Sequence, residues 1–178
     1  MRRGSILVFA FLLPALLSAC GLKPLYEGGR KGAAAQRLSG VEVAPIAGKS
    51  GWLIRNSLAE RLHAVADGAP RYRLTIEVDD KIEGLGVRSN NIVTRERRTL
   101  RAHFRLRDIG AAADAAPMLD EVVSSDVGID VTSSEYATVA AEDSALERLS
   151  DQIADRILAR IAVDAVRDAD ARPARAGQ

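Results

Sequence analysis

Seven alternate positions of one segment, Arg95, Arg97, Thr99, Arg101, His103, Arg105 and Arg107, hold five arginines and a histidine. Side chains of an extended strand alternate between its faces, so these seven share one face while Leu100, Ala102, Phe104 and Leu106 share the other. Same-face neighbours stand about 6.7 Å apart, and the whole row spans roughly 40 Å, a length that predicts a bend or bulge within it. The guanidinium is a planar fork that grips phosphate or carboxylate through two parallel hydrogen bonds, so the row suits an extended anionic ligand or an acidic partner. The same row also has a second reading. Glu77 and Asp79 on the segment before it, and Asp120, Asp126 and Asp130 on the segment after it, could pair with it across strands and leave a solvated, salt-bridged surface. On that reading the end residues, Arg95 and Arg107, are the ones left without partners. The residue pattern alone leaves both open.

Catalytic chemistry finds little to stand on. The two histidines, His63 and His103, lie on different elements, and no cluster of metal-ligand type is present. No glycine-rich phosphate loop opens a helix, no G-x-S-x-G elbow occurs, and Gly84-Leu85-Gly86 lacks the sequel of a dinucleotide motif. Asp79-Asp80 reads as a strand-end turn feature, and His63 as a residue at the margin of an apolar stripe. The expectation is a protein that is not an enzyme and needs no cofactor.

The elements that must position the arginine row follow from apolar periodicity. Val41 and Val43 alternate ahead of Pro45, as in a short strand near a sheet edge. Ile54, Leu58, Leu62 and Val65 lie on one helical face, with Ser50 as the expected cap and Asp67-Gly68-Ala69-Pro70 as the stop. Tyr72, Leu74, Ile76 and Val78 alternate with polar residues in a strand that Gly84 and Gly86 are expected to break. The arginine strand runs from about Ile92 to Arg107. An Ala- and Gly-rich turn over 108–117 leads to a strand with Leu119, Glu121, Val123, Ser125, Val127, Ile129 and Val131 on one side. A long helix, from about Tyr136 to Val166, carries the stripe Val139, Leu146, Leu149, Ile153, Ile157 and Ile161. This order predicts an α+β fold, two helices packed on one face of a mainly antiparallel four-stranded sheet. The other face, with the arginines, is left to solvent or a partner.

The first residues place Arg2 and Arg3 before an apolar run from Ile6 to Leu17 and then Leu17-Ser18-Ala19-Cys20, the layout of a secretory signal cut before a cysteine that receives lipid. The run is shorter than the roughly 20 apolar residues a membrane span needs. Cys20 is the only cysteine, so no intrachain disulfide can form in an oxidising compartment. Acyl chains on Cys20 would make a firm membrane anchor. Gly21 is not the aspartate that commonly retains bacterial lipoproteins at the inner membrane, so an outer-membrane, lipid-anchored, periplasm-facing protein is expected. Losing 19 of 178 residues leaves 159, and Arg2 and Arg3 leave with them, so 23 basic residues face 24 acidic ones. That balance gives no reason to expect nucleic acid. The expected organisation is a signal peptide over 1–19, a lipidated tether over 20–37, an α+β domain over 38–167 and a disordered tail over 168–178. Leu25 and Tyr26 are expected to dock on the domain.

Taken in order, Cys20-Gly21-Leu22-Lys23-Pro24-Leu25-Tyr26, Leu53-Ile54-Arg55-Asn56, Tyr72-Arg73-Leu74, Gly84-Leu85-Gly86 and Ser134-Glu135-Tyr136-Ala137-Thr138 resemble the alphaproteobacterial form of the LptE family of lipopolysaccharide-assembly lipoproteins. The resemblance covers most of the chain from Cys20 to about Val166 and rests on the order of these segments. It implies a non-catalytic lipoprotein seated as a plug in the outer-membrane β-barrel protein LptD, helping the barrel assemble and delivering lipopolysaccharide to the outer leaflet. It implies two helices on a four-stranded sheet, and it transfers no particular binding residue. The alternative is an auxiliary lipoprotein of an envelope lipid transporter, whose signal and domain would look alike.

Overall fold

The computed structural model describes residues 29–87 and 93–176. The signal segment, Cys20, and the docking expected of Leu25 and Tyr26 lie outside them. A 3-10 turn at Gly29–Lys31 leads into α1 (Ala33–Ser39), β1 (Val41–Val43), α2 (Gly48–His63), β2 (Tyr72–Val87), β3 (Val93–Asp108), β4 (Leu119–Asp130) and α3 (Glu135–Ala176). No helix among the described residues is long and apolar enough to cross a membrane.

The strands form one sheet in the order β1-β2-β3-β4. β2, β3 and β4 are antiparallel, whereas β1 runs parallel to β2 because α2 carries the chain back to the starting end of the sheet before β2 begins. The sheet is therefore mixed, and the α-helices among the described residues number three where two were expected. Pairing is continuous from Tyr72↔Asp108 to Leu85↔Arg95 and from Arg95↔Asp130 to Leu106↔Leu119, and Val87↔Val93 keeps the same register, so the arginine row contains no bulge. The β2 strand also runs through Gly84 and on to Val87, past the expected break. The ladder to β3, with Gly84 opposite Glu96, Leu85 opposite Arg95 and Val87 opposite Val93, holds this backbone extended, and such pairing outweighs the weak strand preference of glycine.

Helices cover one face of the sheet only. Leu74, Ile76, Leu100, Ala102, Phe104, Leu106 and Val123 point into the core against Ile54, Leu58, Leu146, Leu149, Ile153, Ile157 and Ile161. α2 and α3 run side by side in the same direction: Lys49 pairs with Asp143 at 2.7 Å, Ser57 with Asp151 at 2.5 Å and Arg61 with Asp155 at 2.7 Å, each 94 residues apart. Ser50 does not cap α2, which begins two residues earlier behind Ala47 with no side-chain cap. Gly51 is required there by close approach, since a Cβ would fall 2.6 Å from the Ile46 side chain and 3.0 Å from its carbonyl carbon.

Both ends of the domain are more ordered than the tether and tail expected of them. Residues 33–39, the last five of that tether and the first two of the expected domain, form α1, whose Ala34 and Leu38 are buried one turn apart. The Ala33-Ala34-Ala35 run is among the strongest helix formers, and the apolar pair gives it a face to bury. Between them Arg37, only 6 % exposed, reaches Asp164 at 3.1 Å and Asp168 at 2.8 Å on α3 and lies 5.1 Å from the Tyr72 ring centroid. α3 accordingly continues past Val166 to Ala176, so most of the expected tail is helix. Burial, and then the neighbouring Asp168 charge, push the Asp164 carboxyl above its ordinary value, against the pull of Arg37.

Candidate functional site

The face of the sheet opposite the helices is a polar surface with three rows. The central row is Arg95, Arg97, Thr99, Arg101, His103, Arg105 and Arg107 on β3. Register sets Arg73, Thr75, Glu77, Asp79, Lys81 and Glu83 of β2 along one side, and Asp120, Val122, Ser124, Asp126, Gly128 and Asp130 of β4 along the other. All the residues that the alternation assigned to an anionic-ligand or partner face do share one face, because the strand never slips register.

The row divides into two halves. Near the β3–β4 turn the side chains are tightly held. Arg105 bonds Glu77 at 3.0 Å and stands 3.5 Å from Asp120. The Arg105 guanidinium also donates to His103 Nδ1 at 3.3 Å, while His103 Nε2 bonds the Asp120 carboxylate. A guanidinium can only donate, so Nδ1 is the acceptor and the proton sits on Nε2. This bond to His103, more than the nearby Arg105 charge, holds the Asp120 carboxyl below its ordinary value. Arg107 donates to the Ala115 carbonyl at 2.6 Å and Arg73 to Glu42 at 2.6 Å.

Toward the β2–β3 hairpin the hold loosens. Arg95 stands 3.7 Å from Asp130, and Arg97 stands 3.7 Å from Asp126 with 53 % of its side chain exposed. Neither contact is a hydrogen bond, and exposed pairs of this kind contribute at most about 1 kcal/mol. Arg101, exposed at the centre of the row, makes no ion pair or hydrogen bond among the described residues, and neither does Asp79 opposite it. The expectation that Arg95 and Arg107 would lack partners is thus corrected. Register brings an aspartate beside Arg95 and the turn brings a carbonyl to Arg107, whereas Arg101 faces the short Ser124 on one side.

Two features of this region were not singled out from the sequence. Gly128 leaves the Arg95 guanidinium room to lie across the sheet, since a Cβ there would meet it at 3.1 Å. A glycine midway between Asp126 and Asp130 on the open face of β4 was the available signal. Arg98, on the helix side, is 11 % exposed and held bidentately by Asp80 at 2.8 and 2.7 Å, with a further bond to the Glu142 carbonyl at 2.9 Å. Asp80 is therefore mid-strand and structural, which corrects the reading of Asp79-Asp80 as a turn. Among the described residues, no group of three His, Cys, Asp or Glu side chains is placed to hold a metal ion. The surface can grip an extended anion by charge and hydrogen bonding.

Among solved structures, the chain is similar to a lipoprotein from Caulobacter crescentus, with a TM-score of 0.60 at 24% identity over 75% of this chain and 98% of that one. It is also similar to a minor lipoprotein from Acinetobacter baumannii, with 0.55 at 14% identity over 71% and 92%. The rare lipoprotein B from Shewanella oneidensis gives 0.52 at 18% identity over 71% and 96%. These likenesses show a shared fold. Comparison with curated protein sequences returns no match. The model of the LptE lipopolysaccharide-assembly family matches residues 38–161, which takes in the entire sheet, α2 and α3 as far as Ile161, and the chain belongs to that family.

Proposed function

We propose that this chain acts in lipopolysaccharide delivery as an outer-membrane lipoprotein, anchored through acyl chains on Cys20 and seated as a plug in a β-barrel of the LptD type. The observation that carries the reading is the open face. Within a lipopolysaccharide-assembly family, this fold leaves one side of its sheet polar, free of helices and centred on Arg101, which has no partner among the described residues. The anions at hand in that setting are lipid A phosphates and sugar acids, and Arg95, Arg97 and Arg101 form the half of the row least committed to other bonds. A polar, alternating surface also suits burial against the polar lumen of a barrel. The held half, His103, Arg105 and Arg107, supports the strand geometry that presents them.

The test is binding of purified lipopolysaccharide to the isolated protein, with Arg97→Ala and Arg101→Ala combined. Loss of two phosphate-gripping side chains is expected to weaken binding by about tenfold or more, with a shallower salt dependence. Unchanged affinity and salt dependence would assign the row to sheet stability alone. A detergent pull-down from native envelopes tests the barrel: a near-stoichiometric outer-membrane β-barrel protein is expected, and an inner-membrane transporter component would overturn the plug.

A further inference from the structure

The sheet has two edges, and they are treated differently. Along β4 the Arg156 guanidinium of α3 caps the outward carbonyl of Ser124, and Arg160 stands 3.5 Å from Glu121, so α3 side chains guard that edge. At the other edge β1 covers only Tyr72, Arg73 and Leu74 of the 16 residues of β2 before the chain turns away at Pro45. The Ala44 amide donates to the Leu74 carbonyl at 2.9 Å, so the even-numbered residues of β2 turn their main-chain groups toward this edge. Among the described residues no hydrogen bond reaches the outward main-chain groups of Val78, Asp80, Ile82 or Gly84.

What flanks this free stretch is chemically asymmetric. On the helix side, Arg55, Ala59 and His63 of α2 line a groove beside β1, and Trp52 lies one turn earlier on the same flank, 60 % exposed. The level of Trp52 follows from two contacts: Lys49 pairs with Asp143, and Arg98, opposite Ile82 in register, bonds the carbonyl of adjacent Glu142. The start of α2 therefore lies level with the free part of β2, and both elements expose an apolar side chain there, Trp52 and Ile82. On the open side the edge presents Glu77, Asp79, Lys81 and Glu83, three exposed acids and one lysine; Lys81 pairs with Glu83 at 2.6 Å and Arg105 with Glu77 at 3.0 Å, while Asp79 makes no ion pair or hydrogen bond among the described residues.

We propose that the free edge of β2, from Val78 to Gly84, takes up an extended strand of a partner protein, apolar on the side that meets Trp52 and basic on the side that meets Glu77, Asp79 and Glu83. Such a strand prolongs the line of β1, with main-chain bonds supplying affinity and the two faces supplying selectivity. A second copy of this chain is a poorer match: one antiparallel register of β2 on β2 sets Glu83 against Asp79 and Lys81 against Lys81, and the next sets Glu83 against Glu77, offset only by Asp79 against Lys81.

Residue-resolved amide exchange on the purified full chain tests this, with two eight-residue peptides, one alternating valine and lysine and the other valine and glutamate. The lysine peptide is expected to slow exchange at Val78, Asp80, Ile82 and Gly84, with about a fivefold preference over the glutamate peptide, roughly what two cross-strand ion pairs supply. Ile82→Pro removes an outward donor at a position where edge strands tolerate proline, and abolishes the effect while β2–β3 amides stay protected. If that variant loses the ladder, Asp79→Lys with Glu83→Lys decides, because it reverses the peptide preference on an intact edge. Trp52→Ala weakens binding of either peptide. No slowing, equal slowing by both peptides, slowing confined to β4, or concentration-dependent protection without peptide would each overturn the proposal.

Discussion

Arg98 and Arg101 sit three residues apart on the same strand, on opposite faces of the same sheet, and share almost nothing else. Arg98 is nearly buried, chelated by Asp80 and bonded to the Glu142 carbonyl beside the start of α3, and its guanidinium is held in the charged form by that Asp80 hydrogen bond against the cost of burial. Arg101 is exposed and has no bonded partner among the described residues. The difference extends to the two faces. On the covered face polar groups hold elements in place: Arg37 joins α1 to α3, Ser125 bonds Gln152 at 2.5 Å, and Arg98 joins the hairpin to α3, whereas the buried Glu96 Oε2 and Ser150 Oγ make no hydrogen bond among the described residues. On the open face bonding is graded, tight at Arg105 and loose at Arg95 and Arg97. Desolvation makes a partner for Arg37 and Arg98 on the covered face costly to lose, whereas an exposed charge such as Arg101 stays solvated without one.

The largest break in this contrast is expected from the core. Phe104→Ala, fully buried beneath the open face at 0 % exposure, should cost about 3–5 kcal/mol in urea unfolding, because the site cannot collapse around the missing ring. Arg98→Ala comes next. It removes a nearly buried guanidinium and leaves the partly exposed Asp80 carboxylate without its partner, and is expected to cost about 2 kcal/mol, a charge-assisted bond lost. Arg101→Ala, by contrast, should shift unfolding by less than about 0.5 kcal/mol, as surface substitutions do. Equal effects of the two arginine substitutions would erase the distinction between the faces.

Acid titration sharpens the comparison with the smallest effect, since two carboxylates of opposite displacement should respond oppositely. Asp120, on the open face, has its folded pKa lowered beneath the ordinary 3.8. Its contribution is fully present above that value and is lost as the pH falls through the lower folded one. Asp164, at the α1–α3 junction, has its folded pKa raised above 3.8, so the folded state takes up that proton first and stability gains as the pH falls through this window. Urea midpoints followed against pH should lose part of their fall below 3.8 in Asp120→Asn, and lose the gain above it in Asp164→Asn.

Part of this contrast is legible in the residue order. Strict alternation from Tyr72 to Val78 and from Leu100 to Leu106, and helical stripes through Ile54, Leu58 and Leu62 and through Leu146, Leu149 and Ile153, identify the strands, the two main helices and the apolar side of each. That is enough to put the arginine row on one face. α1 escapes such a reading because a seven-residue stretch rich in alanine looks like linker until Leu38 and Arg37 have something to bury against. The length of β2 escapes it because Gly84 and Gly86 resemble breakers, and only the β3 ladder says otherwise.

By itself, then, the residue order determined which side chains share a face, since periodicity follows from backbone geometry and needs no partner. It also carried the ordered set of segments by which the family is recognisable. Only the tertiary structure decided which arginines are committed. Whether Arg95, Arg101 or Arg107 meets an acid depends on register, and register is a property of pairs of strands set by core packing and turns, with no trace within a single strand. The parallel seat of β1 is likewise a consequence of α2 lying between it and β2, and that seat is what leaves most of β2 with a free edge.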